Sequence, residues 1–323
     1  MRGDDHPFLP ERMPAFLPLV DTAHCATSSI HDVLFCSVTE NAFRSIVSFS
    51  LGRYVPTPAI LAGCSIRRVA CFIDAVAGES PTLTDDEKLL LWSAAVDEVG
   101  ERATVIASTG TYSTAHSVHL TERAHELGVD GFLVVTPYYN KPPPRGIVEH
   151  FKAIAAASDK PIIVYNIPQR VVVNIEPETI TRLAEIENVR AVKQANDDLA
   201  QARHIVATGL DLYAGDDNLF LPFLELGGVG GICVHTHVVG PQVAEQVRAV
   251  REGDLQRARE IDRELAPVYD LLKITTNPIP IKAALNLIGH EVGNCRLPLV
   301  PPTREELAQV RDCLARLGLL VAA

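Results

Sequence analysis

The sequence predicts an α/β protein built as a closed (β/α)8 barrel, the TIM-barrel class, with a C-terminal helical extension. From about residue 69 onward, apolar runs of four to seven residues alternate with longer amphipathic segments, the pattern of βα units around a parallel sheet. The runs are continuous, as strands buried on both faces must be. Seven such units in a chain of 323 residues make a barrel once the N-terminal portion supplies the first. An open doubly wound sheet is the second choice.

In chain order, residues 1–31 read as a loose extension and 32–252 as the barrel, of which 32–68 is atypical in kind. DVLFCSV serves as the first strand and ENAFRSIVSFSL as the first helix, since Phe43, Ile46, Val47, Phe49 and Leu51 crowd one side. The remaining strands are RVACFI, ATVIAS, GFLVV, PIIVYN, VRAVKQ, LDLYAG and GGICVH. Helices between them include the acidic segment from Asp85, TAHSVHLTERAHELG, GIVEHFKAIAAAS, PETITRLAEI, NLFLPFLELGG and PQVAEQVRAVREG. Several carry Pro, Ser or Thr at the start and Gly after the last turn. Residues 253–323 form the C-terminal helical region, in three stretches: DLQRAREIDRELAPVYDLLK, IPIKAALNLIG and REELAQVRDCLARLGLL.

Composition narrows the function. A formal net charge of −11 without a basic stripe disfavours nucleic acid, leaving a small-molecule partner. No apolar span approaches the roughly 20 residues of a membrane helix. Seven irregularly spaced cysteines suit thiols in a reducing compartment, and MRGDDHPFLPERMP lacks a signal peptide's basic start and apolar centre, so the expected location is the cytoplasm.

Lys193 ends an apolar strand in RAVKQAND. A lysine there either snorkels its head out of the barrel rim or serves as a desolvated amine that attacks a carbonyl to form a Schiff base. Tyr165 and Arg170, in VYNIPQR, follow the preceding strand. The tyrosine is either a packed aromatic or a proton carrier for the amine, and the arginine's planar fork suits a carboxylate. Tyr138 and Tyr139, in VVTPYYNKPPPRG, cannot both pack on one surface, so one of them is a candidate for an intersubunit contact. GGVGG reads as a tight turn. Cys233, His235 and His237 in CVHTH would share one face of a strand, but without a carboxylate cluster no metal is expected. Asp216 and Asp217 fit a helix start, where carboxylates satisfy orphan amides.

VTPYYNKP, VYNIPQR, the strand-end lysine of AVKQAND, AGDDN and GES before TDDEK together resemble the dihydrodipicolinate synthase family. It belongs to the pyruvate-dependent Schiff-base aldolases and lyases, as does N-acetylneuraminate lyase. The resemblance runs from about residue 78 to 323; residues 1–68 carry no family signature. It implies condensation of pyruvate, held as a Schiff base on Lys193, with L-aspartate 4-semialdehyde, in diaminopimelate and lysine biosynthesis, with no metal or organic cofactor. It further implies that Tyr165 relays protons, that Tyr139 reaches into the neighbouring subunit's site, and that Arg170 binds the second substrate's carboxylate. Gly215 and Ile232 would line the pyruvate pocket. The implied assembly is a homotetramer, a dimer of dimers. Where the family has Gly-Thr-Thr before GES, this chain has Ala75, Val76 and Ala77. Val76 removes a relay hydroxyl, and Ala77 leaves only a backbone N–H for the pyruvate carboxylate. The family's lysine-feedback site maps to Ser80, Tyr112 and Tyr138, with His116 where lysine-inhibited members carry glutamate, so weak or no inhibition by lysine is expected. The alternatives are another 2-oxo-acid aldolase or lyase, which Arg170 argues against, and a catalytically silent family member.

Overall fold

Hydrophobic runs become strands almost where the sequence puts them. The computed structural model describes residues 34–35, 69–73, 78–101 and 103–320, all within the unit His31–Ala323. One sheet of eight parallel strands runs in sequential order. The strands are β1 (Leu34–Phe35), β2 (Val69–Ile73), β3 (Thr104–Ser108), β4 (Gly131–Val135), β5 (Ile162–Asn166), β6 (Val189–Gln194), β7 (Asp211–Ala214) and β8 (Gly230–Gly231). β1 also meets β8, so the sheet closes into the expected barrel. β1 falls inside DVLFCSV. The expected first helix and the N-terminal extension lie outside the described residues.

Helices return the chain between strands: α1 (Asp85–Val99), α2 (Thr114–Glu126), α3 (Pro144–Ala155), a one-turn α4 (Pro168–Val171), α5 (Pro177–Ala184), α6 (Leu199–Ala207), α7 (Phe220–Glu225) and α8 (Thr236–Arg251). α1 begins with a capping box: the Glu87 amide donates to Thr84 Oγ1, and the Thr84 amide to Glu87 Oε2, while Asp85 and Asp86 place further negative charge at the positive helix end. Asp198 caps α6 through the amides of Ala200 and Gln201.

Although each strand run is continuously apolar, burial separates two faces with period two. Phe132, Val134, Ile162, Val164, Val192, Leu212 and Ala214 pack outward against the helices. Leu133, Ile163, Tyr165, Ala191 and Tyr213 fill the barrel interior. Lys193 shares the parity of Ala191, and its register partners are Tyr165 on β5 and Tyr213 on β7. The amine therefore enters the barrel in one layer with two tyrosines.

Three expected elements differ. GGICVH does not continue as a strand: β8 ends at Gly231, and helix α8 begins at Thr236. That helix starts five residues before the expected Pro241, because the proline is absorbed by a kink at Val239, whose φ of −128° is non-helical. DLQRAREIDRELAPVYDLLK splits into α9 (Leu255–Glu264) and α10 (Ala266–Lys273), with Pro267 in the first turn of α10, where its missing N–H costs nothing. Helices α11 (Ile279–Leu287) and α12 (Arg304–Arg316) follow. Leu271, Ile281, Ala284, Val310 and Leu314 of α10, α11 and α12 form a separate apolar cluster. Among the described residues no helix is long and apolar enough to cross a membrane.

Candidate active site

The loops at the strands' C-terminal ends enclose a cavity of about 390 Å³. Ser108, Gly110 and Thr111 after β3, Leu133, Val135 and Tyr138 around β4, and Tyr165, Ile167 and Arg170 from β5 and α4 form its barrel side. The opposite side is C-terminal, made by Asn277, Pro278, Pro298 and Leu299. Glycine is required at 110: a Cβ there would stand 2.3 Å from the amide nitrogen of Val135.

Lys193 is 4% exposed, and its Nζ sits 3.9 Å from the centroid of the Tyr165 ring. Burial dominates its titration and lowers the amine to about 8, with Asp217 opposing the lowering and Arg170 adding to it. At pH 7 about a tenth of such an amine is neutral, against roughly 1 in 3,000 for an ordinary lysine. Tyr165 is buried too, and burial drives its phenol above the ordinary range, Arg170 pulling the other way. Two bonds fix its backbone, since its carbonyl accepts from the amide (2.9 Å) and hydroxyl (2.8 Å) of Thr136. Arg170 donates through Nη2 to the Asn277 carbonyl at 3.3 Å.

Behind Tyr165 and Lys193 their chain neighbours form a buried amide network. Asn166 Nδ2 donates to Gln194 Oε1, and Gln194 Nε2 to Gln201 Oε1 and Asn196 Oδ1. Satisfied networks of this kind fix one arrangement of the strands that carry them. The sequence reading passed over these amides, although Asn166 and Gln194 directly follow Tyr165 and Lys193.

The structure thus brings together Lys193, Tyr165 and Arg170. Gly215 approaches the lysine stem, where a Cβ would meet Lys193 Cγ at 3.0 Å and Ala195 Cβ at 2.9 Å. Gly215 and Ile232 are not on the cavity wall; Ile232 packs inside the barrel with its amide donating to the Ala214 carbonyl. Tyr139 is 90% exposed at φ 72° and lies outside this chain's own site, whereas Tyr138 is on the wall. Val76 and Ala77 lie outside the described residues.

The positions that the resemblance assigns to lysine feedback are all among the described residues. Tyr112 and Tyr138 meet edge to face at 5.4 Å, Ser80 lines the cavity, and His116 Nε2 is 2.9 Å from an Asp85 carboxylate oxygen. Lys88, buried on the cavity wall, is a cation that the sequence reading absorbed into helix α1.

Glu79 of the GES motif turns out to be a fastener. It sits in the left-handed region at φ 58°, 7% exposed, where Oε1 accepts from Lys282 Nζ at 2.6 Å and Oε2 from the Arg296 amide at 2.7 Å. The Arg296 guanidinium grips Glu87 with both terminal nitrogens and holds that carboxyl down to about 2, helped by the Thr84 amide.

The strand-face reading of Cys233, His235 and His237 fails with the shortened β8: Cys233 follows the strand, and His237 lies in α8 with its ring bonded to the Val234 carbonyl. Asp216 and Asp217 do stand at a helix start, as the cap and first residue of the short turn Asp217–Leu219, but the Asp217 carboxylate is not spent on that turn's amides. Its Oδ1 accepts from both the backbone amide and Nδ1 of His235, each at 2.6 Å. Asp217, Cys233 and His235 crowd together, but two ligands on a tetrahedral zinc ion stand about 3.3 Å apart. A separation of 2.6 Å is a hydrogen bond.

A closed parallel barrel with a desolvated lysine and a tyrosine side by side at the strand ends belongs to the class of α/β barrels whose site lies at their C-terminal face. Residues 69–317 match the dihydrodipicolinate synthetase family, and the chain belongs to that family. A 4-hydroxy-tetrahydrodipicolinate synthase of Moorella thermoacetica is 49% identical over 246 residues, 75% of this chain and 84% of that one. Two solved structures superpose with a TM-score of 0.79. The enzyme from Cyanidioschyzon merolae, with lysine bound, is 35% identical and covers 89% of this chain and 98% of its own. The 4-hydroxy-tetrahydrodipicolinate synthase of Methylacidiphilum fumariolicum is 32% identical and covers 90% and 96%.

Proposed function

We propose that the chain is a 4-hydroxy-tetrahydrodipicolinate synthase, a lyase-class enzyme condensing pyruvate with L-aspartate 4-semialdehyde. The observation that carries this reading is Lys193: an inward-facing amine, lowered to about 8 by burial and packed on Tyr165 in a family-matched barrel. Its neutral form attacks the pyruvate carbonyl, and the carbinolamine loses water to give a protonated imine. Loss of a methyl proton then gives an enamine, which adds to the aldehyde, and attack of the second substrate's amine on the imine carbon cyclises the product and frees Lys193. Tyr165 carries the protons of carbinolamine formation and collapse. Arg170, on the cavity wall, receives the semialdehyde carboxylate. Gly215 and Ile232 serve pyruvate through their backbone, and Ala77 through its N–H.

The assembly belongs to the same reading: a tetramer made as a dimer of dimers, with Tyr139 inserted into the partner's site, a role its exposure in the single chain suits. The barrel spans 32–252 and the helical region 253–323, in a cytoplasmic enzyme. Borohydride reduction in the presence of pyruvate tests the chemistry by leaving an adduct on Lys193, and a coupled assay with aspartate semialdehyde tests the reaction. Absence of an adduct at saturating pyruvate refutes the reading. Val76→Thr combined with Ala77→Thr is expected to raise kcat by about 10²-fold or more, the usual worth of a proton relay.

A further inference from the structure

We infer that Asp217, anchored by His235, is a positioning residue that sets the charge on Lys193 by holding a fixed carboxylate at the end of β7. The inference rests on the reading of Lys193 as the Schiff-base amine and extends it to residues that do not touch substrate.

The placement comes from the backbone. Lys193 pairs in register with Tyr213, and the chain leaves β7 through Gly215, whose backbone presses on the lysine stem. Asp217 follows two residues later, opening a short turn (Asp217–Leu219). Its carboxylate is not aimed at that turn's amides. The side chain is 13% exposed, and one oxygen takes both bonds from His235, whose own side chain is fully buried.

The His235 ring fixes the carboxylate in place. Nδ1 faces a carboxylate oxygen and so carries a proton. Nε2 is buried without a hydrogen-bond partner among the described residues, with the Phe220 and Tyr269 rings set edge-on at 5.5 and 5.9 Å. The ring meets the carboxylate through Nδ1 and the residue's backbone amide bonds the same oxygen, so two bonds hold Asp217 in one orientation. Burial alone would raise the Asp217 carboxyl, but its bonds to His235 and the charge of Lys193 bring it below the usual value.

Among the described groups set around Lys193 itself, Asp217 is the carboxylate. Around Lys193 stand Tyr165, Arg170, Cys233 and Asp217. Tyr165 and the Cys233 thiol are held neutral by burial, and Arg170 is a cation. Asp216, next in the chain, is raised by burial and by Asp217 itself. Tyr269 and His237, also near Asp217, are kept uncharged by burial. One anchored carboxylate thus opposes the desolvation of the amine and supplies a counter-charge to the protonated imine, whose cation must persist while the methyl proton leaves. It makes the free amine slightly less nucleophilic and the next step faster.

The test uses the full-length protein and reads Lys193 directly, by acetic anhydride labelling across pH 6–10 quantified by peptide mass spectrometry, alongside pyruvate and borohydride trapping. In Asp217→Asn the labelling midpoint moves down by about one pH unit, and kcat falls about tenfold while the KM for pyruvate changes little. His235→Phe, which removes the side-chain donor, shifts the midpoint in the same direction. His235→Gln, which keeps an N–H, stays within about 0.3 unit of the parent. The double variant Asp217→Asn, His235→Phe shifts no further than Asp217→Asn alone. Equal midpoints in the parent and Asp217→Asn overturn the inference even if trapping succeeds; should Asp217→Asn not fold, equal midpoints in His235→Phe and His235→Gln do the same. Failed trapping with a shifted midpoint sinks the Schiff-base reading and leaves the electrostatic one standing.

Discussion

Glu79→Ala is the most informative single perturbation of the frame around the cavity. The side chain is 7% exposed and its partner Lys282 12%, their atoms 2.6 Å apart. Alanine can occupy φ 58° at about the same backbone cost as glutamate, so that cost cancels. What is lost is a carboxylate accepting two hydrogen bonds, and what remains is a largely buried ammonium that keeps its 3.0 Å bond to the Asn294 carbonyl. Breaking a buried pair from one side typically costs 3–5 kcal/mol, and the surviving Asn294 bond puts this case at about 3. For a chain of this size that lowers Tm by roughly 4–5 °C. Thermal unfolding followed by circular dichroism, at fixed protein concentration, measures it. Replacing both partners by methionine is expected to recover more than half of the loss, because no charge is then left uncompensated. A single-variant shift below about 2 °C, or a double variant as unstable as the sum of its parts, refutes the reasoning.

Other expectations follow from the same geometry. Tyr165→Phe keeps the ring that packs on Lys193 and removes the proton carrier, so kcat falls by about 10²–10⁴ in the coupled assay; a loss under fivefold rules out the relay. Lysine at low millimolar concentration leaves the rate unchanged, since His116 stands where a carboxylate would be needed and is already paired with Asp85; half-inhibition in that range contradicts it. His150 is buried, donates or accepts at Thr114 Oγ1, and burial depresses it to about 4. Between about pH 6.5 and 4 the unfolded chain takes up a proton that the folded one refuses, so this contribution is fully present above pH 6.5 and is lost as pH falls toward 4, by about 3 kcal/mol. Urea unfolding of His150→Gln beside the parent across that window should show a shallower decline, and parallel curves dismiss the assignment.

How much of this was legible in the sequence depends on the distance over which each feature is decided. Lys193 and Tyr165 were legible because a strand run displays its own end, and parity along the run then turns both inward. The length of β8 was not, because GGICVH looks apolar throughout while the chain leaves the sheet at Ile232 to let His235 reach Asp217, 18 residues away. The same detour hid the Asp217 and His235 pair, each of which has a respectable local explanation when taken alone. Glu79 was read as part of a loop beside the site, and that placement holds; its partners lie 203 and 217 residues further on, beyond the reach of any local pattern. Val76 and Ala77 remain a statement about hydroxyl chemistry made from sequence.

The cavity wall runs in sequence from Glu79 to Leu299. All eight strands leave the ribosome well before Asn277, so a nascent chain can wind its whole barrel and still have an open trough where the site belongs. Ligand can reward only a finished chain, because the contacts that close the far wall are among the last to be made. A chain that stops before Asn277 carries every strand and lacks that far wall.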